Sequence, residues 1–313
     1  MQTVRLTRES AAVVDEILAA AANAPAHPTI TERRAALDFM AQSYGPAEAV
    51  IGSAEDHILE GPGGPFKVRV YHPVTQRPGA HVMVQFHGGG WALGGPDTYA
   101  RQSKAICAAA ETILIDVDYR LAPEHPYPAA LEDCAAAVEW ARDYAAAVGL
   151  NSKQVVIVGD SAGGYLAAFY TQLFPENVAG QILIYPVLTV GRDHDLPSRQ
   201  HLGSGEFFLT FDAITNAEVE FFSGSAAPIE RPSPLLADPE TLKQMPPTLL
   251  ILAGLDPLVD EGIAYGKALS RAGVDVTTLV ESGTIHAFIL FAGAITAGQR
   301  YFEEMGLFVR ALD

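Results

Sequence analysis

Six residues, Gly159-Asp160-Ser161-Ala162-Gly163-Gly164, set a hydroxyl among small neighbours. They follow the apolar run Gln154–Val158 and precede the helix-like stretch Tyr165–Phe174. A tight strand-to-helix turn leaves little room around its central side chain, so the flanking residues must be small. Such a turn lifts the serine to the carboxyl edge of a sheet, where open α/β folds bind ligands, and aims the next helix N-terminus at the same point. Ser161 is therefore a candidate nucleophile for acyl transfer. A phosphate-binding loop is the main rival, but no Lys-Ser or Lys-Thr follows the glycines and no G-x-G-x-x-G opens the first βα turn.

A serine hydroxyl is a poor nucleophile at neutral pH. It needs a base, an anion to orient that base, and donors for the oxyanion that develops in the transition state. The strand-like His81–Phe86 runs into His87-Gly88-Gly89-Gly90, whose backbone N–H groups no side chain shields. Gly88 and Gly89, with the N–H of Ala162, are the expected oxyanion hole, and His87 is expected to brace the loop rather than to act as a base. The base is expected late in the chain, where His286 lies in a loop between a strand ending near Val280 and the C-terminal helix. The acid is expected directly after a strand, at Asp256. Asp260, four residues further, competes for that role and could instead cap the helix that follows.

These residues need a scaffold that brings distant segments together. Apolar, β-rich runs recur at 66–71, 81–86, 112–117, 154–158, 181–185, 248–252 and 276–280, with stretches of helical period between most of them. The longest such stretch, Pro128 to Val148, opens on a proline, a favoured first-turn residue. Short apolar strands alternating with helices predict an α/β fold, a parallel sheet covered on both faces. Helices are also predicted over Glu9–Ala22 and Thr31–Ser43. The alternation breaks from about Gly191 to Pro234, an irregular stretch with one predicted helix from near Asp212. Five of the 14 phenylalanines, Phe207, Phe208, Phe211, Phe221 and Phe222, fall there. They would suit either the underside of a lid over a pocket or simple packing of the insertion onto the body.

The 313 residues carry a net charge of −17, which disfavours nucleic acid and anionic membranes as partners. No apolar stretch is long enough for a membrane span. Asp15 and Glu16 interrupt any signal-peptide core, so the N-terminus reads as an amphipathic helix of a cytoplasmic protein. Cys107 and Cys134 read as buried free thiols. No repeat or flexible linker divides the chain.

The segments HGGGWALGGPDTY, DYRLAPEHPYPAALED, GDSAGG, SPLLAD, DPLVDEG and HAF together resemble the bacterial hormone-sensitive lipase family of carboxylesterases over essentially the whole length. The resemblance implies an α/β-hydrolase fold, mostly parallel with helices on both faces. It also implies Ser161 as nucleophile, Asp256 as orienting acid and His286 as base, in the chain order this fold uses, and it gives the HGGG run its reading as an oxyanion loop. A single domain over 1–313 is expected, with a helical cap formed by about residues 1–45 and 191–234. The implied reaction is hydrolysis of short- to medium-chain carboxylic esters through an acyl-enzyme, with a small-molecule ester as partner and no metal or organic cofactor. A homodimer is compatible with the family. Glu124, His125 and Asp133 lie in the longest matching segment, but its prolines point to a fixed loop entering a helix. One position departs from the family: Ala287 stands where Gly usually follows the histidine, and its methyl narrows the site without removing the base. Amide or peptide hydrolysis and long-chain lipolysis use the same triad. A ligand receptor on the same fold, as in the plant gibberellin receptors, would lack the histidine that this chain keeps.

Overall fold

The computed structural model describes residues 5–25, 27–191, 196–223 and 232–312. Eight strands form one sheet: β1 (Ser53–Gly61), β2 (Gly64–His72), β3 (His81–Phe86), β4 (Leu114–Asp118), β5 (Asn151–Asp160), β6 (Val178–Ile184), β7 (Thr248–Ala253) and β8 (Val276–Glu281). Their order across the sheet is β1-β2-β4-β3-β5-β6-β7-β8. β2 runs antiparallel to β1 and β4, and every other pairing is parallel.

The helices are α1 (Arg8–Ala21), α2 (Ile30–Tyr44), α3 (Ala100–Ala110), α4 (Ala129–Ala147), α5 (Ala162–Leu173), α6 (Pro197–His201), α7 (Phe211–Phe221), α8 (Pro239–Leu242), α9 (Val259–Arg271) and α10 (Arg300–Arg310). Alternate strand residues face opposite sides, and the core divides accordingly. Val82, Val84, Val155 and Ile157 pack with residues of α4, α5 and α9, such as Cys134, Leu166 and Tyr265. Met83, Val156, Val158 and Ile182 pack on the other face with Cys107 of α3, Met305 of α10, Val13 of α1 and Leu37 of α2. The two cysteines are buried and free. No helix among the described residues is long and apolar enough to cross a membrane.

All seven runs read as strands are strands, and the long helix begins one residue after Pro128. β1 is the strand that pattern reading missed, as α6 is a helix missed within the irregular stretch. β1 is the sheet edge and mostly exposed, Ile58 included, so its residues are mostly polar and show no apolar alternation. The segment YRLAPEHPYPAALED is the fixed loop expected. The carboxylate of buried Asp133 accepts from Arg120 N and Nε at 2.9 Å each, and Glu124 pairs with Arg34 of α2 at 2.7 Å. His125 is exposed.

In the insertion, α7 starts where a helix was expected, with Thr210 as its N-cap. Parts of the expected cap, residues 1–4, 26, 192–195 and 224–231, lie outside the described residues. Three of the five phenylalanines show that both readings hold. Phe208 lines the cavity described below. Phe221 is fully buried against Trp91, and Phe222 packs on Tyr127.

Candidate active site

The turn between β5 and α5 is built by its glycines. A side chain on Gly163 would meet the carbonyl oxygen of Phe86 at 1.9 Å, and one on Gly159 would meet the carbonyl oxygen of Gly163 at 2.3 Å. Helix α5 therefore sits hard against both β5 and the end of β3. Ser161, at the apex, has φ 54° and ψ −119°, a conformation L-residues rarely adopt. Its N–H donates to Ile184 O at 2.9 Å, and its carbonyl accepts from Val187 N at 3.0 Å. The strained residue is thus pinned to β6 and to the loop after it.

His286 and Asp256 reach Ser161 from two other segments. His286 Nδ1 lies 2.7 Å from Asp256 Oδ2, and His286 Nε2 lies 2.9 Å from Ser161 Oγ. A carboxylate can only accept, so Nδ1 carries the proton and Nε2 is left to accept from the serine hydroxyl. Asp256 is completely buried, and its other oxygen accepts the N–H of Leu258 at 2.9 Å, which fixes the carboxylate plane. Asp260 is occupied elsewhere: it accepts the N–H of Ser198 in α6 at 2.8 Å. Nor does it cap α9, whose N-cap residue is Leu258.

The glycine loop corrects one expectation. The N–H of Gly88 donates to Asp160 Oδ1 at 3.0 Å and is committed. Gly88 also does not line the cavity, whereas Gly89, Gly90 and Ala162 do. The N–H groups of these three have no acceptor among the described residues. The free donors are those of Gly89, Gly90 and Ala162, one residue further along the loop than the sequence suggested. The reason lies in a long-range contact: Asp160, within the serine turn, reaches across to the loop 72 residues earlier.

Asp160 and Tyr99 are thus residues that pattern reading missed. Asp160 Oδ2 also accepts from Tyr99 Oη at 3.2 Å. Burial pushes its carboxyl up to about 7, against the opposing pull of the Gly88 and Tyr99 hydrogen bonds. His87 braces the loop as expected. Its Nδ1–H donates to Gly88 O at 2.8 Å, and its ring stacks on Tyr119 at 4.3 Å between centroids. Burial pulls the imidazole down to about 4, so it is neutral at pH 7.

Ser161 and His286 open into a cavity of about 730 Å³, a size typical of small-molecule sites. Its wall includes the apolar side chains of Val187, Phe208, Leu209, Leu258 and Leu290. Pro28 and, from α2, Arg33, Leu37 and Met40 also line it, as do Ile214, Asn216 and Ala217 of α7. Arg33 of α2 and Glu220 of α7 form an ion pair at 2.8 Å that joins those two helices.

Residues 83–290 match the family model described as alpha/beta hydrolase fold. The chain is 36% identical over 249 residues to the esterase LipI of Mycobacterium tuberculosis, covering 77% of each chain. It is 36% identical to the carboxylesterase NlhH of the same species, over 74% of this chain and 73% of the relative. Among solved structures, the hyperthermophilic esterase of the archaeon Pyrobaculum calidifontis superposes with a TM-score of 0.88 at 30% identity, covering 99% of this chain and 100% of that one. Taken with the serine turn, the glycine loop and the sheet that joins them, these likenesses place the chain in the bacterial hormone-sensitive lipase family of carboxylesterases, on the α/β-hydrolase fold.

Proposed function

We propose that Ser161, His286 and Asp256 act as nucleophile, general base and orienting acid in the hydrolysis of short- to medium-chain carboxylic esters. The observation that carries this reading is the unbroken hydrogen-bonded line from Asp256 through His286 to Ser161, ending on the cavity wall. Ser161 Oγ attacks the ester carbonyl carbon as its proton passes to His286 Nε2. Asp256 stabilises the imidazolium that forms. The carbonyl oxygen, now an oxyanion, takes the N–H groups of Gly89, Gly90 and Ala162. His286 then gives the proton to the departing alcohol oxygen, leaving the acyl group on Ser161. Water, deprotonated by His286 in the same way, releases the acid and restores the serine.

The described residues of 1–45 and 191–234 serve as the cap of this single domain, a reading supported by the cavity wall that α2 and α7 supply together. A mostly apolar cavity of this size suits acyl chains of short to medium length. The test is hydrolysis of p-nitrophenyl esters from acetate to palmitate by the wild type and Ser161→Ala side by side. The expected result is a rate maximum at short or medium chains that disappears in the variant. Activity surviving in Ser161→Ala would overturn the nucleophile assignment, and a maximum at palmitate would overturn the chain-length assignment.

A further inference from the structure

The glycine loop is held in an uncommon conformation. Gly89, Gly90 and Trp91 follow one another with φ of 112°, 60° and 59°. Glycine adopts such angles freely, but Trp91 does so against its own Cβ, so surrounding contacts must over-determine it. Its carbonyl accepts the N–H of Ala122 at 2.9 Å. Its ring stacks on Phe221 of α7, with centroids 4.6 Å apart and planes 11° from parallel, and meets Tyr165 edge-on at 5.4 Å.

Helix α7 touches the loop a second time. Among the described residues, a side chain on Gly90 would meet a single atom within 4 Å, Ala217 Cβ at 3.1 Å. Ala217 and Phe221 are four residues apart, hence on one face of the helix. That face lies on Gly90 and Trp91, while the other sides of α7 are anchored. Glu220 pairs with Arg33, Glu218 with buried Arg199, and the carbonyl of Phe221 accepts the N–H of Tyr127 at 2.6 Å.

We propose that Ala217 and Phe221 are positioning residues for ester hydrolysis: the face of α7 they form holds Gly90 and Trp91 so that the Gly89 and Gly90 N–H groups meet the oxyanion. The helix that walls the cavity then also sets the geometry of its donors. This inference rests on the reading of Gly89 and Gly90 as those donors.

The test compares an aryl ester with its thionoester, in which sulfur replaces the carbonyl oxygen and accepts N–H hydrogen bonds poorly. The oxygen-to-sulfur rate ratio, relative to that of plain hydroxide hydrolysis, reports what the donors contribute. Wild type, Phe221→Leu and Ala217→Gly are compared, and Ala217→Gly decides alone if Phe221→Leu does not fold. The expected result is a large ratio in the wild type. In the variants kcat falls roughly ten- to hundredfold, with KM within about twofold and the ratio moved toward the hydroxide value. A large wild-type ratio that the variants keep, with only KM altered, overturns the positioning role and leaves the donor assignment standing. A wild-type ratio no larger than that of hydroxide overturns the donor assignment itself, and the inference with it.

Discussion

The backbone N–H of Gly88 donates to the carboxylate of Asp160 at 3.0 Å, tying the glycine loop to the residue just before Ser161. A side chain on Gly88 would come within 2.4 Å of the other carboxylate oxygen, so the approach requires glycine. The two halves of the site, one ending β3 and one ending β5, are thereby held in register by one side chain.

Removing that side chain separates the halves. Asp160→Ala leaves a buried N–H unsatisfied, a loss of about 1–3 kcal/mol, and frees the loop, so kcat is expected to fall roughly ten- to hundredfold. Asp160→Asn keeps an oxygen for Gly88 and is expected to retain activity within about threefold. Equal losses in the two variants, in steady-state kinetics at pH 8, would show that charge rather than the Gly88 contact is what matters.

The same carboxyl makes stability depend on pH. Its folded value is pushed up to about 7, while an unfolded aspartate titrates near about 3.9. Between these values the folded chain holds a proton that the unfolded chain has released, so stability falls as pH rises. The contribution is complete below about pH 4 and lost as pH passes through about 7. Urea unfolding at pH 5 and pH 8 is therefore expected to show the wild type losing ground relative to Asp160→Asn at the higher pH. A constant difference between the two proteins would contradict a raised folded value.

Ala287 follows His286 with φ 67° and lines the cavity. An L-residue in the left-handed region loses about 1–2 kcal/mol, and glycine returns part of that through its extra freedom in the unfolded chain. Ala287→Gly is expected to raise unfolding stability by up to about 1 kcal/mol, read from the urea midpoint. A fall would mean that the packing of the methyl outweighs its backbone strain.

Asp256 and Asp260 separate cleanly in the structure. Asp256→Asn removes the partner that sets the His286 tautomer, and a loss of up to roughly 10⁴-fold in kcat is expected. Asp260→Asn keeps an oxygen for the N–H of Ser198 and is expected to stay within about threefold. A larger loss from Asp260→Asn would overturn the assignment of the acid.

The sheet and the three residues that converge on it were legible because each leaves a local mark. Buried parallel strands such as β5 and β7 carry continuous apolar runs, and Ser161 sits among glycines that steric crowding demands. β1 left none, since an exposed edge has no buried face to impose a pattern. Asp160 was in plain view within the serine motif, yet its partner is a backbone N–H in a distant loop, and no spacing rule encodes that pairing. The displacement of the free donors from Gly88 to Gly90 follows from it. Contacts between α7 and the loop were hidden for the same reason: Ala217 and Phe221 resemble any other apolar face of a surface helix until the fold shows what they cover.

Arg199 of α6 offers a test of how the elements around the cavity are held to the body. Its guanidinium, almost fully buried, donates to Glu218 of α7 at 3.1 Å, to Glu261 of α9 at 3.0 Å and to the carbonyl of Thr189 at 2.8 Å. One cation thus serves two buried carboxylates. Burial pushes Glu261 up to about 7, even with Arg199 pulling the other way. Arg199→Met removes that pull and leaves the two carboxylates facing each other unneutralised, which is expected to destabilise the fold by about 3–5 kcal/mol. Losing the cation removes the pull that holds Glu261 down, so its folded value rises further and more of its stability is lost as pH rises. Below about pH 5 protonation relieves the repulsion. Urea unfolding should therefore find the variant's deficit larger at pH 8 than at pH 5. A deficit that is the same at both would mean that Arg199 acts through packing and its bond to Thr189, and not through charge.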